Sequence, residues 1–186
     1  IPAGKIKEGQ QAQEAAAEAL IEDLIYIAKE LYDAGCDGFN FDTCASAGDA
    51  DFYASLKAVE TLKEKAPDMA LEMGMASEFV LGMHSEIEYK GTRLAGMYPT
   101  EQVKVVEEAG ADIFGMAVNV NTSESFPWNL ARAVTFLKAT VEVANIPVHP
   151  NVGMGVCGVP MLSVPPIDCV TRASKALVEI GKADGL

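Results

Sequence analysis

Positive charge is scarce in this sequence, and its scarcity excludes several kinds of partner. The 186 residues include 14 lysines and arginines against 27 aspartates and glutamates, which gives a formal net charge of −13. We expect no binding to nucleic acid or to an anionic membrane surface, because both are themselves negatively charged. No apolar run approaches the roughly 18 residues of a membrane-spanning helix, and the N-terminus lacks the pattern of a signal peptide. These absences predict a cytoplasmic protein.

Cysteine is also scarce, and its spacing excludes two kinds of fold. The four cysteines are Cys36, Cys44, Cys157 and Cys169. They fit neither a zinc ribbon nor the dense disulfide framework of a small secreted domain. No cluster of cysteine and histidine has the spacing of metal ligands, so we predict that this chain binds no metal. The cysteines are expected to be buried thiols in a reducing compartment.

Helical and extended patterns alternate along the chain. Apolar residues at helical spacing and helix-start signals predict helices at 10–34, 50–65, 77–86, 100–109, 128–144 and 166 to about 181. Candidate strands lie between them at 38–42, 70–75, 93–98, 112–119 and 146–151, with another beginning at 184. Strict alternation of strand and helix predicts a parallel sheet.

One junction between helix and strand recurs. A glycine suited to the left-handed end of a helix precedes each of Asp37, Asp112 and Asp184, and these aspartates are 75 and 72 residues apart. Two strand-helix units of about 36 residues fit each interval. The pattern predicts a (β/α)8 TIM-barrel-type fold that is incomplete in this chain, as a single partial domain over residues 1–186. It holds about five to six units, whereas a closed barrel has eight and about 250 residues.

Polar residues alternate with apolar ones at the C-terminal ends of several predicted strands. They are Asn40, Asp42, Glu72, Asn119, Asn121, His149 and Asn151. One parity of each strand is expected to pack against helices, and the other to face the barrel interior. The C-terminal mouth of such a barrel is where its active site lies. An alternative is that Asp42 and Asn119 only cap the helices that follow them.

The chemistry of these side chains predicts roles for them. Asp42 and Glu72 would place two carboxylates at one mouth, suited to holding an ammonium group or to acid-base catalysis. His149 could carry a proton. We therefore predict catalytic roles for these three residues and substrate binding by the four asparagines. The open alternatives are carboxylates that are solvated or paired with lysine, and a histidine that is hydrogen-bonded within the core.

A glycine-rich segment follows the last complete candidate strand. Gly153, Gly155 and Gly158 have the spacing of a dinucleotide fingerprint, but the segment runs into Val-Pro-Met-Leu-Ser-Val-Pro-Pro, which cannot form a first helical turn. We interpret it as a loop over the barrel mouth, with Gly153 and Gly155 close to substrate. No lysine lies on a predicted strand, which disfavours a Schiff-base aldolase.

Longer motifs resemble one enzyme family. They are Gly38–Asp51, Leu81–His84, Asn119–Ser123, Trp128–Phe136, Gly153–Val156 and Pro165–Lys175. These segments closely resemble the dimethylamine:corrinoid methyltransferases of methylamine-using methanogens, and the similarity extends from about residue 14 to Leu186. In that family the triplet matching Asp184, Gly185 and Leu186 is followed at once by pyrrolysine, which an in-frame amber codon encodes.

The resemblance implies methyl transfer from dimethylamine to the Co(I) corrinoid of a separate cognate protein, in methanogenesis from methylamines. It implies that pyrrolysine orients the amine and that carboxylates hold an ammonium. The chain has no Asp-x-His-x-x-Gly segment of the kind that ligates a corrinoid, so the corrinoid is expected from the partner and no cofactor from this chain. A homo-oligomer is expected at full length.

The sequence lacks the pyrrolysine, which is expected immediately after Leu186. We therefore expect the 186-residue product to be an amber-truncated fragment that is inactive alone. Two alternatives stay open. One is a lyase or isomerase barrel with Asp42 or Glu72 as its base, and the other is a non-catalytic docking fragment.

Overall fold

A computed structural model describes residues 3–82, 86–117, 127–150 and 166–186. The helices in these ranges are α1 (Ile6–Asp33), α2 (Asp49–Lys65), α3 (Pro99–Ala109), α4 (Pro127–Val141) and α5 (Ile167–Glu179). The strands are β1 (Gly38–Cys44), β2 (Ala70–Met75), β3 (Glu88–Tyr89), β4 (Thr92–Arg93), β5 (Ile113–Met116) and β6 (Val148–Pro150). Of the helices so described, none combines the length and the apolar character needed to cross a membrane.

The main sheet confirms the predicted parallel arrangement. Its four strands lie in the order β1-β2-β5-β6, and each pairs in parallel with its neighbour. Strands that follow one another in this sheet are therefore also neighbours in space. Crossovers between parallel strands of one sheet are right-handed in nearly all proteins, which puts the connecting helices on one face. In agreement with this, α2 packs against α3, and α3 packs against α4. The architecture is consistent with part of an α/β barrel.

The helix-covered face of the sheet forms the hydrophobic core. Phe41, Met73 and Phe114 are buried strand residues, and they belong to one cluster with Leu56 of α2 and Leu137 of α4. Burying each such side chain contributes about 1.5–3 kcal/mol relative to leaving it exposed. Because strand residues alternate between faces, the intervening positions point away from this core.

Two elements were predicted incorrectly. Residues 77–82 form bends and irregular chain rather than the first part of a helix. The strand expected at 93–98 is not formed: residues 94–98 are turn and irregular chain, and only Arg93 belongs to β4, which pairs with β3 in a small antiparallel hairpin. Its turn residues Lys90 and Gly91 have φ values of 48° and 81°, as a two-residue hairpin turn requires. Gly96, with φ of 91°, prevents an extended strand beyond it.

The recurring aspartate forms hydrogen bonds with the preceding strand of the main sheet. Asp112 donates its backbone N–H to the carbonyl of Leu71 at 2.8 Å, and its carboxylate accepts the N–H of Leu71 at 2.8 Å. Asp184 makes the same two bonds with Val148, at 3.2 and 2.9 Å. Residues 184–186 are not assigned as a strand, but Asp184 already lies beside β6 as Asp112 lies beside β2.

The left-handed residue at these junctions is glycine in two cases and lysine in the third. Gly35 and Gly110 have φ values of 93° and 96°, as predicted. At the third junction Lys182, with φ of 64°, takes that role instead of Gly181. Lys182 is two residues before Asp184, the same offset as in the other two junctions. Gly181 is needed for packing, since an added Cβ would lie 2.5 Å from Cδ2 of Leu137.

Candidate functional site

The strand register brings the predicted residues that the structure describes onto one face. One row across the sheet contains Asp42, Gly74, Gly115 and His149, each a Cα partner of the next. The row before it pairs Asn40 with Glu72 and Glu72 with Ile113. We call this side of the sheet, opposite the helix-covered face, the polar face. The remaining predicted residues, Asn119, Asn121, Asn151, Gly153 and Gly155, lie outside the described residues, as does His84.

Burial differs across the polar face. Asn40 and Asp42 on the edge strand β1 are exposed, whereas Glu72 on β2 and His149 on β6 are half-buried. The pairing of β1 with β2 shifts register between Asp42 and Cys44, so the regular ladder breaks just after Asp42. The more enclosed part of this face therefore lies over β2, β5 and β6.

The side chains of Asn40 and Glu72 each lie beside a glycine of the neighbouring strand, and that of His149 lies beside a glycine in the segment after α5. An added Cβ on Gly74 would lie 3.0 Å from Oδ1 of Asn40, and one on Gly115 would lie 3.0 Å from Oε1 of Glu72. One on Gly185 would lie 2.6 Å from Nε2 of His149. The sequence analysis missed these glycines, although each occupies a polar-face parity between larger residues.

The polar face carries uncompensated negative charge in the part of the chain that is described. Its strand positions include Asp42 and Glu72 but no lysine or arginine. Within the same ranges neither carboxylate has a hydrogen-bond or ion-pair partner, so the alternative of pairing with lysine is not found there. Unpaired carboxylates on one face create a potential that attracts cations.

Buried polar side chains near the starts of two helices were also missed. Asp49 begins α2 and is 2% exposed; its Oδ1 accepts a 3.4 Å hydrogen bond from Nε2 of Gln13. Its Oδ2 has no partner among the described residues. The same holds for both polar side-chain atoms of Asn129, in the first turn of α4. The N-terminal end of a helix favours a carboxylate, which explains the position of Asp49.

The expectation of buried thiols is correct for one cysteine and wrong for another. Cys44 is buried, and this burial raises the pKa of its thiol to about 12. Its Sγ donates a hydrogen bond to the carbonyl of Phe41, at 3.1 Å. Cys36 is exposed, because it lies in the turn after α1, and Cys169 is partly buried. Cys157 lies outside the described residues. A protonated Cys44 thiol is not a nucleophile.

The structure has a groove, but this groove lies away from the polar face. A groove of about 460 Å³ lies between α1 and residues 86–88, and Glu14, Glu18 and Tyr53 help to line it. None of its described lining residues belongs to the polar face. Across the four described ranges, no group of three histidine, cysteine, aspartate or glutamate side chains could hold a metal ion.

Comparison with known families completes this account of the site. The family described as dimethylamine methyltransferase (Dimeth_PyL) matches residues 1–186. This chain belongs to the dimethylamine methyltransferase family. The match confirms the resemblance drawn from the sequence motifs. Membership in the dimethylamine methyltransferase family implies an enzyme that transfers a methyl group from a methylamine.

Proposed function

We propose that this protein transfers a methyl group from dimethylamine to the Co(I) corrinoid of a separate cognate protein. In this reaction the bond between nitrogen and one methyl carbon breaks, the methyl group passes to the partner's corrinoid, and methylamine leaves. The observation that carries the proposal is the polar face. It has two carboxylates without a partner among the described residues and no basic residue on its described strands, in a chain of the dimethylamine methyltransferase family.

The carboxylates suit the substrate because dimethylamine is protonated at neutral pH. A carboxylate hydrogen-bonded to an ammonium makes a charge-assisted bond, about twice as strong as a neutral one. We propose that the negative charges of Glu72 and Asp42 attract the amine to the polar face. The amide of Asn40, beside Gly74, offers a further polar contact.

His149 is suited to exchange a proton with the departing methylamine. The nitrogen keeps the electron pair of the broken bond, so protonated dimethylamine leaves as neutral methylamine, which then takes up a proton. Imidazole is the side chain best able to exchange one near neutral pH. His149 lies in the same row as Asp42, and its ring contacts Gly185. We therefore assign His149 as proton carrier.

The same contact supports a position for the pyrrolysine that the family resemblance implies. The Cβ direction of Gly185 points at the ring of His149, so Gly185 has polar-face parity. Alternation along a strand gives the residue after Leu186 that parity too. A pyrrolysine there would lie beside His149 and could orient the amine. The closed eight-stranded barrel, the homo-oligomer, the cytoplasmic location and the roles of Asn119, Asn121, Asn151, Gly153 and Gly155 are part of this proposal.

Methyl transfer in a reconstituted system tests the proposal. The complete gene is expressed in a host that inserts pyrrolysine at amber codons, and the product is mixed with dimethylamine and the reduced corrinoid protein. We expect the absorbance spectrum of the methylated corrinoid to appear with dimethylamine and not with trimethylamine. The 186-residue chain, assayed in parallel, is expected to show no transfer. Failure of the complete product to methylate the corrinoid would contradict the proposal.

The two alternatives drawn from the sequence have less support. A lyase or isomerase with Asp42 or Glu72 as base would need no corrinoid partner, and a docking fragment would need no amine site. The family match favours neither of them. Turnover in a substrate screen without corrinoid would support the lyase or isomerase. Co-purification with the corrinoid protein, without turnover, would support the docking fragment.

A further inference from the structure

The two carboxylates of the polar face are not equivalent in position. Asp42 lies on the edge strand β1, at the start of the row that continues through Gly74 and Gly115 to His149. Glu72 belongs to the row before, but its side chain extends forward and sideways, so that Oε1 lies beside the Cα of Gly115 on β5. The carboxylate of Glu72 therefore lies in front of β5, although its backbone belongs to the neighbouring strand β2.

This position of the Glu72 carboxylate separates it from the carboxylate of Asp42. Neighbouring strands lie about 4.8 Å apart, so β1 and β5 are separated by about 10 Å along the row. The carboxylate of Glu72 thus lies in front of β5, whose next neighbour in the row is His149 on β6. It is on the half-buried side of the polar face, whereas Asp42 is on the exposed edge.

Gly115 permits this arrangement because it has no side chain. An added Cβ would lie 2.7 Å from Cα of Gly74, 3.0 Å from Oε1 of Glu72 and 3.1 Å from the carbonyl oxygen of Met73. Two of these three contacts are with backbone, which cannot move aside as a flexible side chain can. By contrast, the nearest atom to an added Cβ on Gly74 is in the flexible amide of Asn40.

We propose that Gly115 is a positioning residue that holds the Glu72 carboxylate in front of β5, and that Glu72 rather than Asp42 binds the positive charge of the amine. The inference rests on the proposed function and makes it more specific. Glu72 is the better placed anchor, because its carboxylate lies in front of β5, the strand next to His149, whereas Asp42 lies two strands further along the row. Asp42 then contributes longer-range attraction only.

Charge and reach at position 72 can be varied separately. Glu72→Gln keeps the length of the side chain and removes its charge, whereas Glu72→Asp keeps the charge and withdraws it by one methylene. We expect both variants of the complete gene product to raise the KM for dimethylamine, by at least tenfold and fivefold respectively. Glu64 is an exposed glutamate on α2, away from the polar face, and Glu64→Gln serves as the matched control with an unchanged KM.

Binding is measured separately from turnover, by calorimetric titration with dimethylammonium chloride. We expect the Kd to rise with the KM in both Glu72 variants, and Asp42→Asn to raise either constant less than threefold. Gly115→Ala should match Glu72→Asp in this titration. The urea unfolding midpoint of Gly115→Ala shows whether this variant is folded. If it is not folded, the two Glu72 variants still test the inference.

Three results would overturn the inference. The first is a Kd of Glu72→Asp equal to that of the parent protein. The second is a larger rise in Kd for Asp42→Asn than for Glu72→Gln. The third is a folded Gly115→Ala with the same Kd as the parent. The proposed function fails in a different way. If the parent binds dimethylammonium through Glu72 but methylates no corrinoid, the methyltransferase proposal is contradicted and the positioning of Glu72 is supported.

Discussion

The two faces of the four-stranded sheet are formed by alternate residues of the same strands, but they differ in burial and in charge. On the helix-covered face, Phe41, Met73 and Phe114 are buried in the core. On the polar face, Asp42 and Glu72 are at least partly accessible and have no ion-pair partner among the described residues. Alternate residues of one strand therefore serve stability and chemistry separately. Substitutions on one face should affect stability, and substitutions on the other should affect binding.

The largest effect is expected from truncating the core. Phe114 is fully buried and adjacent in sequence to Gly115 of the polar face. Phe114→Ala should lower the free energy of unfolding by about 3–5 kcal/mol, because it removes a large buried side chain and leaves a cavity. Urea unfolding followed by circular dichroism measures this change.

The matched substitution on the other face is Glu72→Gln. We expect it to change the free energy of unfolding by no more than about 0.5 kcal/mol, as is usual where no buried partner is lost. Comparable losses in the two variants would show that the faces do not divide stability and function in this way.

A loss smaller than that of Phe114→Ala is expected at the junction between β2 and β5. Asp112→Ala removes the carboxylate that accepts the N–H of Leu71 and that pairs with Nζ of Lys63 at 2.9 Å. Leaving the buried N–H of Leu71 without an acceptor should cost about 1–3 kcal/mol. The pair with Lys63 adds little, because both side chains are partly exposed to solvent and salt.

Asp184→Ala provides the comparison within the same chain. It removes the equivalent bond to Val148, but Asp184 has no ion pair among the described residues. Its cost should be no larger than that of Asp112→Ala in the same urea titration. A clearly larger cost at Asp184 would contradict the equivalence of the two junctions.

A stability effect that depends on pH is expected at an ion-pair network outside both faces. Burial alone would raise the pKa of Glu60, but hydrogen bonds from Lys57, Lys90 and Tyr89 outweigh it and lower the pKa from 4.5 to about 2. A lowered folded-state pKa means that the ionised carboxylate stabilises the fold above pH 4.5. That contribution is lost as the pH falls from 4.5 toward 2.

Glu60→Gln tests this network. At pH 7 the variant should be less stable by about 1 kcal/mol, a modest figure because the lysines are partly exposed and screened. Thermal unfolding between pH 7 and pH 2 should show the difference between variant and parent shrinking below pH 4.5. A difference that stays constant over this range would exclude Glu60 as its source.

Sequence reasoning predicted the parity of the polar face because alternation in a strand is a local property. Asn40, Asp42, Glu72 and His149 alternate with apolar neighbours, and the register then brings them together. It also identified the aspartate junctions, although the bonds of Asp112 and Asp184 to the preceding strand emerged only from the structure.

Features that depend on tertiary contacts were not predicted. The hairpin at 88–93 has two-residue strands, which are too short to show periodicity. The covering of Gly115 by Glu72 joins residues on different strands, and no local pattern encodes it. The packing of Gly181 against Leu137 likewise depends on how α4 and the end of α5 meet.

The central claim is that the polar face binds the amine next to His149, and proton NMR of the histidine rings tests it most directly. The sequence has two histidines, so His149→Gln assigns the signal of His149. Dimethylammonium chloride should shift that signal in the parent, but not in Glu72→Gln, with sodium chloride of equal ionic strength as the control. An unchanged His149 signal in a parent saturated with the amine, or the same shift in Glu72→Gln, would contradict the account.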